Sequence, residues 1–220
     1  YTSDESNILA EKLASNLGIS CESISIEKLH ATASDIFDLN SKESIVSENI
    51  QSRLRGLTLM MLSNSRGWLP IATGNKSEIA VGYCTLYGDT VGAFAPIKDV
   101  YKTQVFQLCD FRNSSSDFLV VSPILDDIIN RPPTAELREN QKDSDSLPEY
   151  DVLDPIIIAF VEEEKSQEEI VALGYSSSDV KQIIKLIQNA EFKRRQGPTG
   201  TRLTRHNFGL GRRIPISSKY

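Results

Sequence analysis

The chain has 220 residues, of which 40% are hydrophobic and 25% are charged, a balance typical of a water-soluble globular domain. It contains no run of about 18 apolar residues, the length of a membrane-spanning helix, so we expect no membrane partner. Its three cysteines are widely scattered and it has only two histidines, a pattern that favours neither a disulfide scaffold nor a zinc site and fits a cytoplasmic protein.

The net charge of −6 is unevenly distributed. From Lys193 onward the sequence has lysine and arginine but no aspartate or glutamate. Such a segment could bind nucleic acid, the phosphates of a small ligand or an acidic neighbouring subunit. Because no aromatic stripe or nucleic-acid motif accompanies the charge, we expect no nucleic-acid partner. We predict that 197–220 is an irregular basic tail.

The first third of the chain alternates helical and β-rich patterns. Ser3–Leu17 is predicted to be a helix, with Ser3 as its N-cap and Gly18 as its stop. Ile19–Ile26 has the alternation of a strand. A second helix is predicted over Glu43–Asn64. Its helical spacing predicts a buried stripe of Ile50, Leu54, Leu57, Met61 and Leu62.

Further elements follow in the same alternation. Trp68–Thr73 is predicted to be a strand, Asp99–Leu108 a helix, and Asp117–Pro123 a strand-like run. Helices and strands joined by short links predict an α/β domain with a parallel sheet. We therefore expect one domain over 1–220.

Helices dominate the predictions for the last third. We predict that 136–150, polar and flanked by proline, is a mobile loop. Helices are predicted over Asp151–Glu163 and Ser178–Arg195. The second has Val180, Ile183, Ile184 and Ile187 on one face. A short helix is predicted between these two helices, because Ser166 and Glu169 have the spacing of a capping box at its start.

Polar residues directly follow the strand predicted before Thr73. In an open parallel sheet, ligands bind at the carboxyl ends of the strands. Thr73 can donate a hydroxyl hydrogen bond, Gly74 allows close approach of a ligand, and the Glu78 carboxylate suits Mg²⁺. A purely structural alternative is an exposed helix N-terminus with Ser77 as its cap.

Six sequence blocks, taken together and in this order, resemble the synthetase domain of NAD synthases, most closely the glutamine-dependent two-domain form. They are ENIQSRLRG (Glu48–Gly56), TGNKSEIAVGYCTLYGD (Thr73–Asp89), APIKDVYKTQVF (Ala95–Phe106), RPPTAEL (Arg131–Leu137), DSLPEYDVLD (Asp145–Asp154) and FKRRQGP (Phe192–Pro198). The resemblance covers most of the chain from Glu48 onward. It implies a Rossmann-like adenine nucleotide alpha hydrolase fold with a parallel sheet and additional C-terminal helices.

The resemblance also implies a reaction. ATP would activate the nicotinate carboxylate of deamido-NAD as an adenylate and release pyrophosphate. Ammonia, free or derived from glutamine, would then attack to give NAD and AMP. No catalytic side chain is implied, because Mg²⁺ and positioned cations stabilise the charge that develops on the phosphate. We also expect a homodimer, since the helix predicted over Glu43–Asn64 is apolar enough to pair with a copy of itself.

Positions that match the family's motifs imply a set of site residues. The implied ATP contacts are Thr73, Lys102 and Thr134, and the implied Mg²⁺ ligand is Glu78. The implied deamido-NAD contacts are Asn49, Arg53, Leu86, Phe192 and Lys193, although single-domain relatives carry lysine where this chain has Leu86. Structural alternatives stay open: Lys102 as a solvated helix lysine, Arg53 paired with Glu48, and Lys193 at a helix C-terminus.

One family motif does not occur in this sequence. There is no Ser-Gly-Gly-x-Asp-Ser, the family's pyrophosphate-binding loop, and Tyr1–Ser6 resembles the segment after the family's second strand. Nor is there a Cys, Glu and Lys constellation of a glutaminase domain. We therefore expect a fold that is incomplete at its N-terminus, and an inactive chain when it is alone. The alternative is a non-catalytic dimerisation or interaction fragment of such a synthetase. GYCTLYGD and PPTAEL argue against GMP and asparagine synthetases.

Overall fold

The computed structural model describes residues 2–37, 45–209 and 211–216. Its helices are α1 (Asp4–Leu17), α2 (Glu27–Ile36), α3 (Ile45–Arg66), α4 (Lys76–Val81), α5 (Lys102–Ser114), α6 (Asp126–Ile129), α7 (Tyr150–Val161), α8 (Gln167–Ala172), α9 (Ser177–Asn189) and α10 (Glu191–Arg194). A 3₁₀ helix spans Asp143–Asp145, and the strands are β1 (Phe94–Ala95) and β2 (Thr199–Gly200). Within the described residues, no helix is both long and apolar enough to cross a membrane.

The chain divides into two compact units. The first is formed by residues 1–48 and 104–147, and the second by residues 49–103 and 148–220. The predictions of one domain over 1–220, a mobile loop over 136–150 and an irregular tail over 197–220 stay predictions. Within the described part of the tail, residues 197–209 and 211–216, β2 is the regular element.

Helix ends confirm the signals read from the sequence. Ser3 is the N-cap of α1 and its hydroxyl accepts the Ser6 N–H, while Gly18 ends the helix in the left-handed conformation at φ 67°. Ser166 and Glu169 form a reciprocal capping box at the start of α8. These ends were predictable because each uses hydrogen bonds between residues that are close in the chain.

Two predicted helices differ from the structure by more than two residues at an end. The helix predicted over Asp99–Leu108 begins instead at Lys102, where side chains from distant segments satisfy the first N–H groups: Ser77 Oγ accepts from Lys102, and Asp154 Oδ2 accepts from Thr103, both at 2.9 Å. The helix predicted over Ser178–Arg195 is divided into α9 and α10 at Ala190.

The α/β prediction is confirmed, but most of the individual strands are not. β1 and β2 pair in parallel, with Phe94 opposite Thr199. The strand predicted over Trp68–Thr73 is reduced to a bridge between Ile71 and Phe94. The predictions for Ile19–Ile26 and Asp117–Pro123 are wrong, because both segments are irregular. A strand requires a neighbour for its backbone hydrogen bonds, and β-rich composition alone does not supply one.

The stripe predicted to be buried on α3 is also wrong in part. Leu57 and Met61 are 51% and 62% exposed, and Ile50, Leu54 and Leu62 are half-buried. In the second unit the buried positions of α3 are Gln51, Ser52 and Gly56, and the chain around Gly88 packs closely against the last two. A β-carbon on Gly56 would lie 2.8 Å from the Tyr87 carbonyl oxygen. The buried face of α3 in the second unit therefore consists of polar residues and a glycine rather than of apolar side chains.

Helices α4, α7, α8 and α9 form the core of the second unit. Their apolar side chains exclude water almost completely, which is the main source of stability for such a cluster. The fully buried members are Ala80, Leu153, Ile156, Ile157, Val161, Ile170, Val180, Ile183 and Ile187. Of the face predicted for the last long helix, Val180, Ile183, Ile184 and Ile187 are all buried, which confirms that prediction.

A buried ion-pair network joins this core to the tail. The Lys76 side chain is 0% exposed, and its ammonium lies 2.7 Å from Asp99 Oδ1 and 2.6 Å from Thr204 Oγ1. It also donates to Glu162 at the end of α7. Four separate segments therefore meet at one ammonium group.

Asp99 holds the tail through the same network. Its Oδ2 accepts the N–H groups of Leu203 and Thr204, each at 2.7 Å. Burial alone would raise the pKa of Asp99, but the hydrogen bond from Lys76 and those from the tail outweigh it and lower the pKa below its usual value. Asp99 is therefore a charged carboxylate at neutral pH, fully paired although it is buried.

Replacing Lys76 by methionine tests this network. The variant leaves the buried Asp99 and the half-buried Glu162 without their cation, so we expect the free energy of unfolding to fall by about 3–5 kcal/mol. Urea unfolding followed by circular dichroism gives this number. The matched control is Lys181→Met on the exposed side of α9, which should change the value by no more than about 0.5 kcal/mol. Equal effects of the two substitutions would contradict a stabilising role for the network.

Candidate functional site

Helix α4 begins with a reciprocal capping box. Asn75 Oδ1 accepts the Glu78 N–H at 3.0 Å, and Glu78 Oε2 accepts the Asn75 N–H at 3.1 Å. The alternative of an exposed N-terminus capped by Ser77 is therefore wrong. Asn75, Lys76 and Ser77 are all buried, and the Ser77 hydroxyl donates to Asp154 instead. The box orients the Glu78 carboxylate at the first turn of the helix.

A buried carboxylate of α7, that of Asp154, supports the first turn of α4. Asp154 is 1% exposed and accepts hydrogen bonds from Ser77 Oγ, from the Thr103 N–H at 2.9 Å and from Thr103 Oγ1 at 2.8 Å. Burial raises the pKa of Asp154, although these hydrogen bonds act in the opposite direction. The starts of α4 and α5 are thereby joined through one side chain.

Beside α4 the second unit contains an open cleft of about 500 Å³, a volume that includes space open to solvent. Its wall combines small and apolar residues with five charged ones, the composition of many small-molecule sites. The lining residues are Ala72, Gly74, Glu78, Ile79, Cys84, Asp89, Thr90, Ala95, Lys98, Lys193, Arg194, Gly197 and Pro198.

Glu78 and Lys102 form an ion pair at this cleft. Lys102 Nζ lies 3.2 Å from Glu78 Oε1, and the two side chains are 20% and 21% exposed. The Lys102 ammonium is also 5.4 Å from the centre of the Tyr150 ring. Lys102 is therefore not the solvated helix lysine of the structural alternative, because it is held by a carboxylate and an aromatic ring.

The Glu78 carboxylate fits Mg²⁺ as one ligand among several. Its Oε1 accepts from the Lys102 ammonium and its Oε2 accepts from the Asn75 N–H, and a carboxylate is the hard oxygen ligand that Mg²⁺ prefers. Across the described residues, no group of three His, Cys, Asp or Glu side chains could hold a metal ion. A magnesium ion here would therefore take its other ligands from phosphates and water, as is usual for nucleotide-bound magnesium.

Lys193 reaches the cleft from α10. Its ammonium donates to the carbonyl oxygens of Gly82 and Cys84, both at 2.7 Å, and so holds the turn that follows α4. Burial, with a contribution from Asp89, raises the pKa of the Cys84 thiol to about 11, so this thiol is neutral at physiological pH. The Lys193 ammonium therefore lies in a wall whose sulfur is uncharged.

Helix α3 contacts the turn at residues 85–86. Asn49 Oδ1 accepts the Thr85 hydroxyl at 2.9 Å, and Arg53 Nε donates to the Leu86 carbonyl oxygen at 3.2 Å. The structure thus brings together three of the predicted deamido-NAD residues. Asn49, Arg53 and Leu86 are not among the residues that line the cleft.

The sequence profile of the NAD synthase family matches residues 1–197. A curated glutamine-dependent NAD(+) synthetase from Xanthomonas campestris is 46% identical to this chain, and the match covers the whole of this chain. The chain belongs to the NAD synthase family. It spans 40% of the length of that relative.

Solved structures agree with this assignment. A glutamine-dependent NAD+ synthetase from Acinetobacter baumannii, in complex with ADP, is 42% identical; the match covers 98% of this chain and 38% of that one, with a TM-score of 0.56. Another from Cytophaga hutchinsonii is 27% identical, with coverages of 99% and 37% and a TM-score of 0.75. The adenine nucleotide alpha hydrolase fold implied by the sequence is thereby confirmed.

The remaining residues implied by the NAD synthase family lie in different places. Thr73 is exposed, between the lining residues Ala72 and Gly74, and Phe192 is 43% exposed beside Lys193. Thr134 belongs to the first unit, where its hydroxyl accepts the Glu136 N–H at 3.1 Å. The Glu48 carboxylate, proposed as a partner of Arg53, instead lies 3.4 Å from Arg138.

The sequence analysis did not identify three charged residues that line the cleft, namely Asp89, Lys98 and Arg194. All three lie inside blocks that resemble NAD synthases, so the family pattern pointed to their segments. Nothing in the sequence distinguished them from the other charged residues of those blocks, because side-chain direction and pairing depend on distant contacts.

Proposed function

We propose that this chain is the synthetase part of an NAD synthetase, which converts deamido-NAD to NAD with ATP through an adenylated nicotinate. The supporting observation is the cleft at α4, where Glu78, paired with Lys102, and Lys193 lie in one wall. Membership of the NAD synthase family makes this chemistry the one to test first. The ADP bound to the Acinetobacter baumannii relative supports an adenine nucleotide as one ligand.

In the proposed reaction the chain positions two anions and offsets their charge. Lys102 contacts the ATP phosphates, with Thr73 and Thr134 as further ATP contacts. Glu78 holds Mg²⁺, which supplies charge neutralisation at the phosphates when it is bound. The residues proposed for deamido-NAD are Asn49, Arg53, Leu86, Phe192 and Lys193. Fixed charges aimed at the reacting phosphate lower the barrier because they need no reorganisation during the reaction.

Three features of the whole protein belong to the same proposal. The nitrogen comes from ammonia, released from glutamine by a separate glutaminase domain or taken up free; the names of the relatives favour glutamine. A homodimer is supported by the exposed apolar side chains of α3, which include Leu57, Leu59 and Met61. A cytoplasmic location stays a prediction.

The proposal is tested by following pyrophosphate and NAD separately, with ATP, Mg²⁺, deamido-NAD and excess ammonium. Because the chain contains no Ser-Gly-Gly-x-Asp-Ser, we expect the 220-residue chain to release no pyrophosphate. Each missing oxyanion-type donor costs about 3–4 kcal/mol of transition-state stabilisation. A longer chain that includes such a loop should form both products. If that longer chain forms neither product, the proposed function is wrong; if the short chain matches it, the loop is not required.

Glu78→Gln in the active longer chain separates the metal role from the capping role. Glutamine at this helix position can still complete the capping box, so α4 should keep its stability. Loss of the negative charge should slow pyrophosphate release by about a hundredfold or more, as expected for a transition-state electrostatic contact. Rates are measured over a range of Mg²⁺ concentrations. An unchanged rate at limiting Mg²⁺ would remove Glu78 from the metal site.

Lys193→Ala in the active longer chain tests the proposed deamido-NAD contact. We expect the KM for deamido-NAD to rise more than the KM for ATP, because the ammonium lies in the cleft wall. The substitution also removes two hydrogen bonds to the turn after α4. Steady-state kinetics with each substrate varied in turn separates the two roles. Equal changes in the two KM values would indicate that Lys193 only supports the turn.

A further inference from the structure

The charges of the cleft wall do not cancel. Two of the lining residues are neutralised by neighbours outside the wall. The buried Arg194 guanidinium lies 3.0 Å from Glu191 Oε2, and Glu78 is paired with Lys102. Among the lining residues this leaves Lys98 and Lys193 against Asp89. The wall therefore carries an excess of positive charge, which favours an anionic ligand.

The ammonium of Lys98 lies in the cleft wall and is used by the protein only in part. The described residues contain no carboxylate within ion-pair distance of Lys98, and its ammonium donates to one acceptor, the Pro198 carbonyl oxygen at 2.6 Å. An ammonium has three N–H donors, so two remain. Lys193, by comparison, uses two donors on carbonyl oxygens.

The stem of Lys98 is held in place by β2. A β-carbon on Gly200 would lie 2.8 Å from the β-carbon and 3.0 Å from the δ-carbon of Lys98, so only glycine lets the strand pack this closely. Burial lowers the pKa of Lys98, which means that the ammonium has lost part of its hydration. A positioned and partly dehydrated cation gains more from an anion than a solvated lysine does.

We propose that Lys98 is a further substrate-binding residue, whose ammonium binds a phosphate oxygen of the nucleotide held in the cleft. This inference rests on the proposed function. The phosphate belongs either to ATP or to the dinucleotide, and both offer the compact anionic oxygen that a lysine binds as a point charge.

Calorimetric titration of the 220-residue chain with inorganic pyrophosphate, ADP, deamido-NAD and NAD tests the proposal. Lys98→Met removes the charge and keeps the aliphatic stem, Lys98→Arg keeps the charge, and Lys185→Met removes a charge from the exposed face of α9. Thermal unfolding of each variant reports whether the loss of the bond to Pro198 affects folding.

We expect Lys98→Met to weaken binding of pyrophosphate and of a nucleotide by about tenfold to a hundredfold, the range for a hydrogen bond to a charged group. Lys98→Arg should stay within about threefold of the original chain, and Lys185→Met should change nothing. A loss for ADP assigns the phosphate to ATP. An equal loss for deamido-NAD and NAD assigns it to the dinucleotide.

Several results would overturn the proposal. Unchanged affinities in Lys98→Met would do so, as would equal losses in Lys98→Met and Lys98→Arg. A loss for deamido-NAD alone would show that the anion is the nicotinate carboxylate. If the original chain binds pyrophosphate through Lys98 but none of the nucleotides, the phosphate site stands and its assignment to a nucleotide fails. If it binds none of the four ligands, the Lys98 proposal fails, whereas the proposed function is decided separately by the products of the longer chain.

Discussion

The ammonium of Lys76 is the contact on which the rest of the second unit depends. It is completely buried and joins the start of α4 to Asp99, to the end of α7 at Glu162 and to the tail at Thr204. Burying a cation costs free energy unless it is fully paired, so the stability of each of these segments depends on the presence of the others. Because Lys76 is the first residue of α4, the same network holds the helix turn whose capping box orients Glu78.

Cations of this unit can be divided by whether their partner is a carboxylate or a backbone carbonyl oxygen. The Lys76 and Arg194 charges are satisfied inside the protein by Asp99 and Glu191, so they serve the fold. Lys98 and Lys193 have carbonyl oxygens as partners and keep their net charge at the cleft. A nucleotide site needs both groups: internal pairs that hold the wall rigid, and cations with spare donors that face the ligand.

Structural features were predicted correctly where the interaction joins residues that are close in the sequence, and incorrectly where it joins distant ones. Helix ends at Ser3, Gly18 and Ser166 were predicted correctly because their hydrogen bonds join residues within a few positions. The strand predicted at Ile19–Ile26 was wrong because pairing depends on a neighbour that local sequence does not specify. The apolar stripe of α3 has helical spacing, yet Leu57 and Met61 are exposed, since periodicity tells which residues share a face and not what covers it.

The sequence by itself determined the family, the capped helices, and the segments from which a candidate site is built. Only the tertiary structure decided what each lysine in those segments does. Lys76, Lys98 and Lys102 lie within one short stretch of chain, yet one is buried in an ion-pair network, one keeps two spare donors and one pairs with Glu78. The physical reason is that an ammonium's role depends on its partners and its hydration. The partners of Lys76 include Glu162, 86 residues away, and that of Lys98 is Pro198, 100 residues away.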